Sequence, residues 1–370
     1  MSAQQCLRAL FTAIVLSTPL LCTAASTWET SNAMARQSIQ RTMKEARIPG
    51  LQIAVVKDGH VVLLEHYGLA NVENRIPVTA ATLFPINSAT KSFTGVALMQ
   101  LAEAGQVALD APISRYLDGL PDTWRGIRVR QLLAHTSGLP NIVDRQGLIG
   151  GGTEQQAWAA VAALPMDAPT GDTFAYNQTN YALLARLITR QASMPYPQYV
   201  AEHQFKVAGM RTSVFGDSYD LVPNAATIYS YSRRRPLVEG DDDRLAHWID
   251  DLPPGLRTGG GIQTTAGQLA DWIIALTDGR LITPASVQAM WTPEKLTSGA
   301  DGRWAAGWPV LGASPEDPQV AGIGGGRAAF IVYPKERLAV IVLTNLVGAS
   351  PEGFIPDIAA LYRSAPVVKE

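Results

Sequence analysis

The chain has 370 residues, of which 47% are hydrophobic and 17% charged, and a formal net charge of -2. That composition is globular and long enough for one large domain or two lobes. The near-neutral balance gives no electrostatic case for a nucleic-acid partner.

The first residues read as a targeting segment, not as structure. Arg8 supplies a short basic region, 9–21 is an apolar run too short for a comfortable membrane span, and Cys22-Thr23-Ala24-Ala25 offers small residues for cleavage after Ala24 or Ala25. The reading is a signal peptide over 1–24. A lipoprotein reading would modify Cys22, but Pro19-Leu20-Leu21 lacks the small residues expected before it. Cys6 and Cys22 are the only cysteines and both fall in this segment, so the expected mature chain carries no disulfide, thiol nucleophile or cysteine metal site. It is expected to be periplasmic or secreted, with no stable membrane span.

In chain order, 31–47 has the pattern of an amphipathic helix, stopped by Pro49-Gly50. The β-rich runs 51–57 and 61–67 are joined by Asp58-Gly59, a hairpin signal. After a loop over 77–85, Ser88 stands as a candidate cap before a nearly all-apolar run ending near Gly105, which reads as a buried helix of about four turns. The stretch 110–124 is short helices and turns, and 131–138 is one helical turn running into a loop. Helices are expected over 154–164 and 180–191. Arg233-Arg234-Arg235 and Asp241-Asp242-Asp243 bound a polar loop. Gly259-Gly260-Gly261 precedes a helix over 264–276 with a threonine cap. Strands are expected over 304–311, 328–333 and 338–344, and a closing helix over 354–362. Strands at both ends imply one antiparallel sheet built from both termini, about 30–85 with 255–370, and a mainly helical lobe over about 86–254.

Ser88 and Lys91 lie three apart and so share one helical face. A hydroxyl at a helix start beside an amine that can take its proton is a minimal kit for an activated nucleophile. By itself this is a weak signal, since an N-cap serine with a solvated lysine gives the same spacing. No other serine in the chain has a lysine three residues on. There is no Gly-x-Ser-x-Gly elbow, which disfavours a Ser-His-Asp hydrolase. Asp241-Asp242-Asp243 with His247 lacks regular metal-ligand spacing. The glycines of 322–327 lack the third glycine and helix of a dinucleotide fingerprint. His135 reads as a residue holding a loop by hydrogen bonds. Trp308 and Tyr229 are candidates for the cleft or, equally, for the core.

Ser88-Ala89-Thr90-Lys91 resembles the first motif of the serine β-lactamase and penicillin-binding protein superfamily, in the branch holding class C β-lactamases, D-Ala-D-Ala carboxypeptidases and family VIII esterases. The segment 129–139, Gly259-Gly260-Gly261-Ile262-Gln263-Thr264-Thr265, and the closing hairpin 333–345 resemble further parts of that branch, so the likeness runs from about 33 to 362. The resemblance implies an α/β two-lobed β-lactamase/transpeptidase-like fold with the site between the lobes. It implies catalysis without metal or cofactor through an acyl-enzyme on Ser88. Tyr176-Asn177-Gln178 matches the branch's Tyr-x-Asn, so Tyr176 would be a general base with Lys91, and Gln178 would bind substrate with an amide one carbon longer. Gly322 to Arg327 matches its third motif. There Ile323 replaces the usual basic residue, and Gly324, Gly325 and Arg327 would contact substrate, with Arg327 supplying the missing charge. The Gly326 amide would pair with that of Ser88 as an oxyanion hole. The loss of charge at Ile323 ranks carboxylic esters first, D-amino-acid peptides second and β-lactams third. A non-catalytic binding protein on the same fold is the reading from another class.

Overall fold

The computed structural model describes residues 28–144, 147–232, 244–312 and 318–363. The expected signal peptide with Cys6 and Cys22, the Arg233–Arg235 run and the Asp241–Asp243 run lie outside these described residues.

The chain enters through helix α1 (Glu29–Glu45) and turns into strands β1 (Gly50–Lys57) and β2 (His60–Asn71). Asp58 and Gly59 both have positive φ, 51° and 78°. That is the two-residue turn whose twist matches the flanking strands. After the short β3 (Ile76–Pro77) the central helix α2 runs over Thr90–Glu103. The long helix α3 (Gln178–Ala192) and helix α4 (Ala266–Thr277) follow, and Thr265 caps α4 by accepting from the Gln268 amide at 3.1 Å. The chain closes with β4 (Val320–Gly324), β5 (Ala328–Tyr333), β6 (Leu338–Thr344) and α5 (Ile355–Arg363).

The six strands form one antiparallel sheet in the order β4-β5-β6-β1-β2-β3. Both ends of the chain thus build it, with β1 beside β6 and Ile53 opposite Val342. Its two faces are buried, which is why β5 and β6 are apolar at nearly every position rather than alternating. One core runs from Val56, Phe330 and Leu343 on the inner face through Phe93 and Val96 of α2 to Leu183 and Leu187 of α3. The other packs Ile53, Val55 and Val342 against α1 and α5 through Ile39 and Ile358. Burial of such side chains contributes roughly 1.5–3 kcal/mol each, and α2 is driven into place this way: all its residues from Thr90 to Met99 are buried.

One expectation needs correction. The run 304–311 is not a continuous strand: Trp304 and Pro309 bridge in a tight fold-back with Gly307 at φ 89°, and only its end pairs with the sheet, where Val310 bridges Val320 of β4. Gly307 lies against α2, where a Cβ would meet the Lys91 carbonyl at 2.4 Å. Trp308 and Tyr229 are core residues: Trp308 stacks on Trp272 with ring centroids 5.9 Å apart, and the Tyr229 hydroxyl donates to Glu73 at 2.5 Å.

Candidate active site

Ser88 sits in a single 3-10 turn (Asn87–Ala89) that leads directly into α2. Its side chain makes no cap to the helix. Instead Ser88 Oγ accepts from the Tyr176 hydroxyl at 2.7 Å. Tyr176 belongs to the extended stretch before α3 and is 39% exposed, so the pair meets solvent.

Lys91 lies one turn beyond Ser88 and is fully buried. An isolated buried ammonium costs several kcal/mol, and the fold surrounds this one with acceptors. Lys91 Nζ donates to the Gly259 carbonyl at 2.8 Å and to Gln178 Oε1 at 3.1 Å. It also lies 4.8 Å from the Tyr176 ring centre and 5.0 Å from that of Tyr181. The two tyrosines are not interchangeable. Tyr181 is buried and donates to the Leu133 carbonyl at 2.9 Å, and burial pushes its phenol well above the ordinary tyrosine range. Only Tyr176 of the pair touches Ser88.

Gln178 lines the cleft and accepts from the lysine. Asn177 turns the other way: it caps α3, accepting from the Asn180 amide. His135 holds this segment from beneath. Its Nδ1 accepts from the Asn177 amide at 3.1 Å, its carbonyl accepts from Ala175 at 2.9 Å, and its ring lies 4.5 Å from that of Tyr176. Burial first, and then the charge of Lys91, hold its imidazole well below the ordinary histidine range. The unfolded chain takes up this proton below about pH 6.5 while the folded chain does not. Stability is therefore expected to fall as pH drops below about 6.5, by up to about 1.4 kcal/mol per pH unit from this residue. Urea titrations of the wild type and His135→Gln between pH 7.5 and 5 check it, since the variant loses that component of the slope.

The end of β4 comes close to the nucleophile. A Cβ on Gly324 would meet the Ile86 carbonyl at 1.8 Å and the Ser88 amide nitrogen at 2.8 Å. Only glycine allows this approach. Gly324→Ala is expected to lower turnover about 100-fold, because the strand and the nucleophile must separate by on the order of 1 Å; steady-state kinetics beside a melting curve test it. Gly325 and Gly326 follow with φ near 60°, and the Gly326 carbonyl is taken by the amides of Gly348 and Ser350 at 3.0 and 2.9 Å.

Around the position of the missing charge, one expected substrate contact, Arg327, is placed differently. Ile323 is half-buried in the apolar cluster that contains Tyr229 and Leu346. Arg327 does not face the cleft: it is 1% exposed, ion-paired with Asp250, and donates to Asn87 Oδ1 at 2.6 Å. Its guanidinium is consumed inside the fold, so it does not replace the charge missing at Ile323. His247 pairs with Glu73, and the hydrogen bond from the Tyr229 hydroxyl first, then that from His247, holds the Glu73 carboxyl down at about 2. Among the described residues no group of three or more His, Cys, Asp or Glu side chains could hold a metal ion.

Ser88, Gln178 and Gly259 line a cleft of about 570 Å³ together with Val143, Leu148 and Leu252. The site draws on three residues that sequence reasoning gave no role: Gly259 through its carbonyl, Trp304 through its ring 5.5 Å from Tyr176, and Asp250. Each acts across a long sequence separation; Gly259 belongs to the glycine-rich segment 259–265, whereas Trp304 and Asp250 belong to no motif.

A family model described as Beta-lactamase matches residues 35–362. Protein flp of Staphylococcus aureus (strain MW2) is 27% identical over 241 residues, 64% of this chain and 47% of its own length. The chain thus spans about half the length of that curated relative. Among solved structures, the octameric penicillin-binding protein homologue from Pyrococcus abyssi superposes with a TM-score of 0.73 at 25% identity, covering 89% of this chain and 76% of that one. EstCE1, a hydrolase with promiscuous acyltransferase activity, superposes with a TM-score of 0.75 at 21% identity over 92% of this chain and 100% of that one. That likeness is one of fold.

Proposed function

Given that the chain belongs to the beta-lactamase family of serine hydrolases, we propose that it is an exported esterase working through an acyl-enzyme on Ser88. The observation that carries the reading is the contact of 2.7 Å between Ser88 Oγ and the Tyr176 hydroxyl, with the buried amine of Lys91 4.8 Å from the Tyr176 ring.

In the proposed cycle Tyr176 enters with its own phenolic proton released to solvent, and the Ser88 proton passes to that deprotonated oxygen as Oγ bonds to the acyl carbon. The Lys91 ammonium stabilises negative charge on that oxygen while the proton is in transit. The proton then goes to the departing alcohol oxygen. Water enters, gives a proton to Tyr176 and attacks the acyl carbon; Ser88 Oγ leaves and recovers its proton. The Ser88 and Gly326 amides are the proposed donors to the developing oxyanion, at the point where Gly324 brings the strand against the nucleophile. Gln178, Gly324 and Gly325 would flank the bound acyl group.

The preference for esters follows from charge. With isoleucine at 323 and Arg327 paired to Asp250, neither position offers a free cation to a substrate carboxylate. The apolar wall of Val143, Leu148 and Leu252 suits an uncharged acyl group. The second reading, hydrolysis of D-amino-acid peptides, draws on the penicillin-binding homologue among the solved structures.

The test compares a short-chain p-nitrophenyl ester, a D-Ala-D-Ala peptide and a chromogenic cephalosporin. The ester is expected to show the highest kcat/KM, by about tenfold or more, as for loss of one charge-assisted contact to the others. A cephalosporin or peptide turned over faster than the ester overturns the ranking. A protein that turns over none of the three and is not labelled by a fluorophosphonate is a binding protein on this fold.

A further inference from the structure

The turn that presents Ser88 is held by an arrangement the proposed chemistry does not itself consume. Asn87, immediately before the nucleophile, has φ of 43°. This left-handed backbone is costly for most residues and is tolerated best by glycine, asparagine and aspartate. Its side chain is fixed at both ends. Oδ1 accepts from Arg327 Nη2 at 2.6 Å, and Nδ2 donates to Asp250 Oδ2 at 3.2 Å. Arg327 and Asp250 are themselves an ion pair, with side chains 1% and 12% exposed. Asp250 in turn accepts from the indole of Trp248, a cleft residue, at 3.0 Å.

The three side chains form a closed ring that joins three segments. Asn87 brings the backbone before Ser88, Arg327 the residue after the glycine turn, and Asp250 the loop beside the cleft. The glycine turn folds directly over the ring: a Cβ on Gly325 would meet Asn87 Oδ1 at 2.9 Å and the Arg327 guanidinium carbon at 3.2 Å. A buried ion pair is a poor source of net stability compared with apolar packing, but its directional hydrogen bonds fix a relative orientation.

We propose that Arg327, through Asp250 and Asn87, is a positioning residue that sets the Ser88 turn against the Gly324–Gly326 turn, and so sets the distance between nucleophile and oxyanion donors. This rests on the hydrolase reading. The arginine acts on the geometry of the transition state and not on substrate charge, so its loss should fall on kcat and leave KM in place.

Three variants of the full chain separate positioning from stability. Asn87→Gly keeps the left-handed backbone and removes only the tie. Arg327→Lys keeps the charge without the planar fork. The double variant Arg327→Met/Asp250→Leu removes both charges, so neither is left buried and unpaired. Each is compared with the wild type by kcat and KM on a short-chain p-nitrophenyl ester, by the rate of fluorophosphonate labelling, and by Tm. Asn87→Gly and the double variant are expected to lose about 10- to 100-fold in kcat and in labelling rate, with KM within about twofold. Arg327→Lys should recover part of that rate. Arg327→Met alone, made as a fourth variant, leaves Asp250 buried and unpaired; the loss in the double variant should persist although its Tm exceeds that of this single variant. Variants that match a reactive wild type in both rates, or whose rate losses simply follow Tm, overturn the proposal and leave the hydrolase reading standing. A wild type that neither hydrolyses the ester nor is labelled overturns the hydrolase reading, and this proposal with it.

Discussion

Replacing Ser88 with alanine is expected to lower ester hydrolysis by on the order of 10⁴-fold or more, to the level of uncatalysed background. The size of the effect follows from the chemistry. Every proposed step forms or breaks a bond at Ser88 Oγ, and the described residues around it offer no other hydroxyl in hydrogen bond with the Tyr176 phenol. The substitution removes one oxygen that makes no helix cap, so the fold should tolerate it and Tm should stay within a few degrees of the wild type. The measurement is kcat/KM on a p-nitrophenyl ester with a melting curve on the same preparation. Retention of more than a tenth of the wild-type rate would mean that the hydrolysis arises elsewhere.

Replacing Lys91 with methionine is expected to lower kcat about 10³-fold, the scale of lost proton-transfer and electrostatic assistance. Here stability and catalysis pull apart. Methionine occupies nearly the same buried volume without a charge, which favours folding. The Gly259 carbonyl and the Gln178 amide then lose their shared donor, at a cost of about 1–3 kcal/mol. The net change in stability is expected to be small beside the change in rate. Kinetics and urea denaturation of Lys91→Met measure both. A variant that keeps its rate would show the amine to be a structural ion only, held for packing between Tyr176 and Tyr181.

The parts of the fold legible in the sequence were those with local signals. The Asp58-Gly59 turn, the threonine cap of α4 and the apolar runs of β5 and β6 each announce themselves within a few residues. The helix after Ser88 was equally plain, because it is buried on all sides and reads as one apolar run. The run 304–311 misled because its tryptophans and valine suggest a strand, while Gly307 breaks it into a fold-back against the Lys91 carbonyl. Local propensity yields there to a close backbone approach.

The candidate site divides in the same way. Ser88 and Lys91 share one helical turn, so their spacing marks them as candidates, and the family pattern is what singles them out. Tyr176 and Gln178 needed the family pattern, since nothing in residues 88 and 176 by themselves says that they touch. Arg327 is where the expectation went astray. A cation beside the glycine turn suggested a substrate contact, but burial against Asp250, 77 positions away in sequence, redirects it into the fold. Pairings of that range leave no periodicity and no composition signal to read.

The most direct test of the central claim is the site of covalent labelling. The protein is incubated with a fluorophosphonate, digested and mapped by mass spectrometry, beside Ser88→Ala. The account predicts one adduct, on Ser88 Oγ with loss of fluoride, absent from the variant and matched in time by loss of ester hydrolysis. An adduct on another residue, or ester hydrolysis that continues after Ser88 is fully labelled, would contradict it.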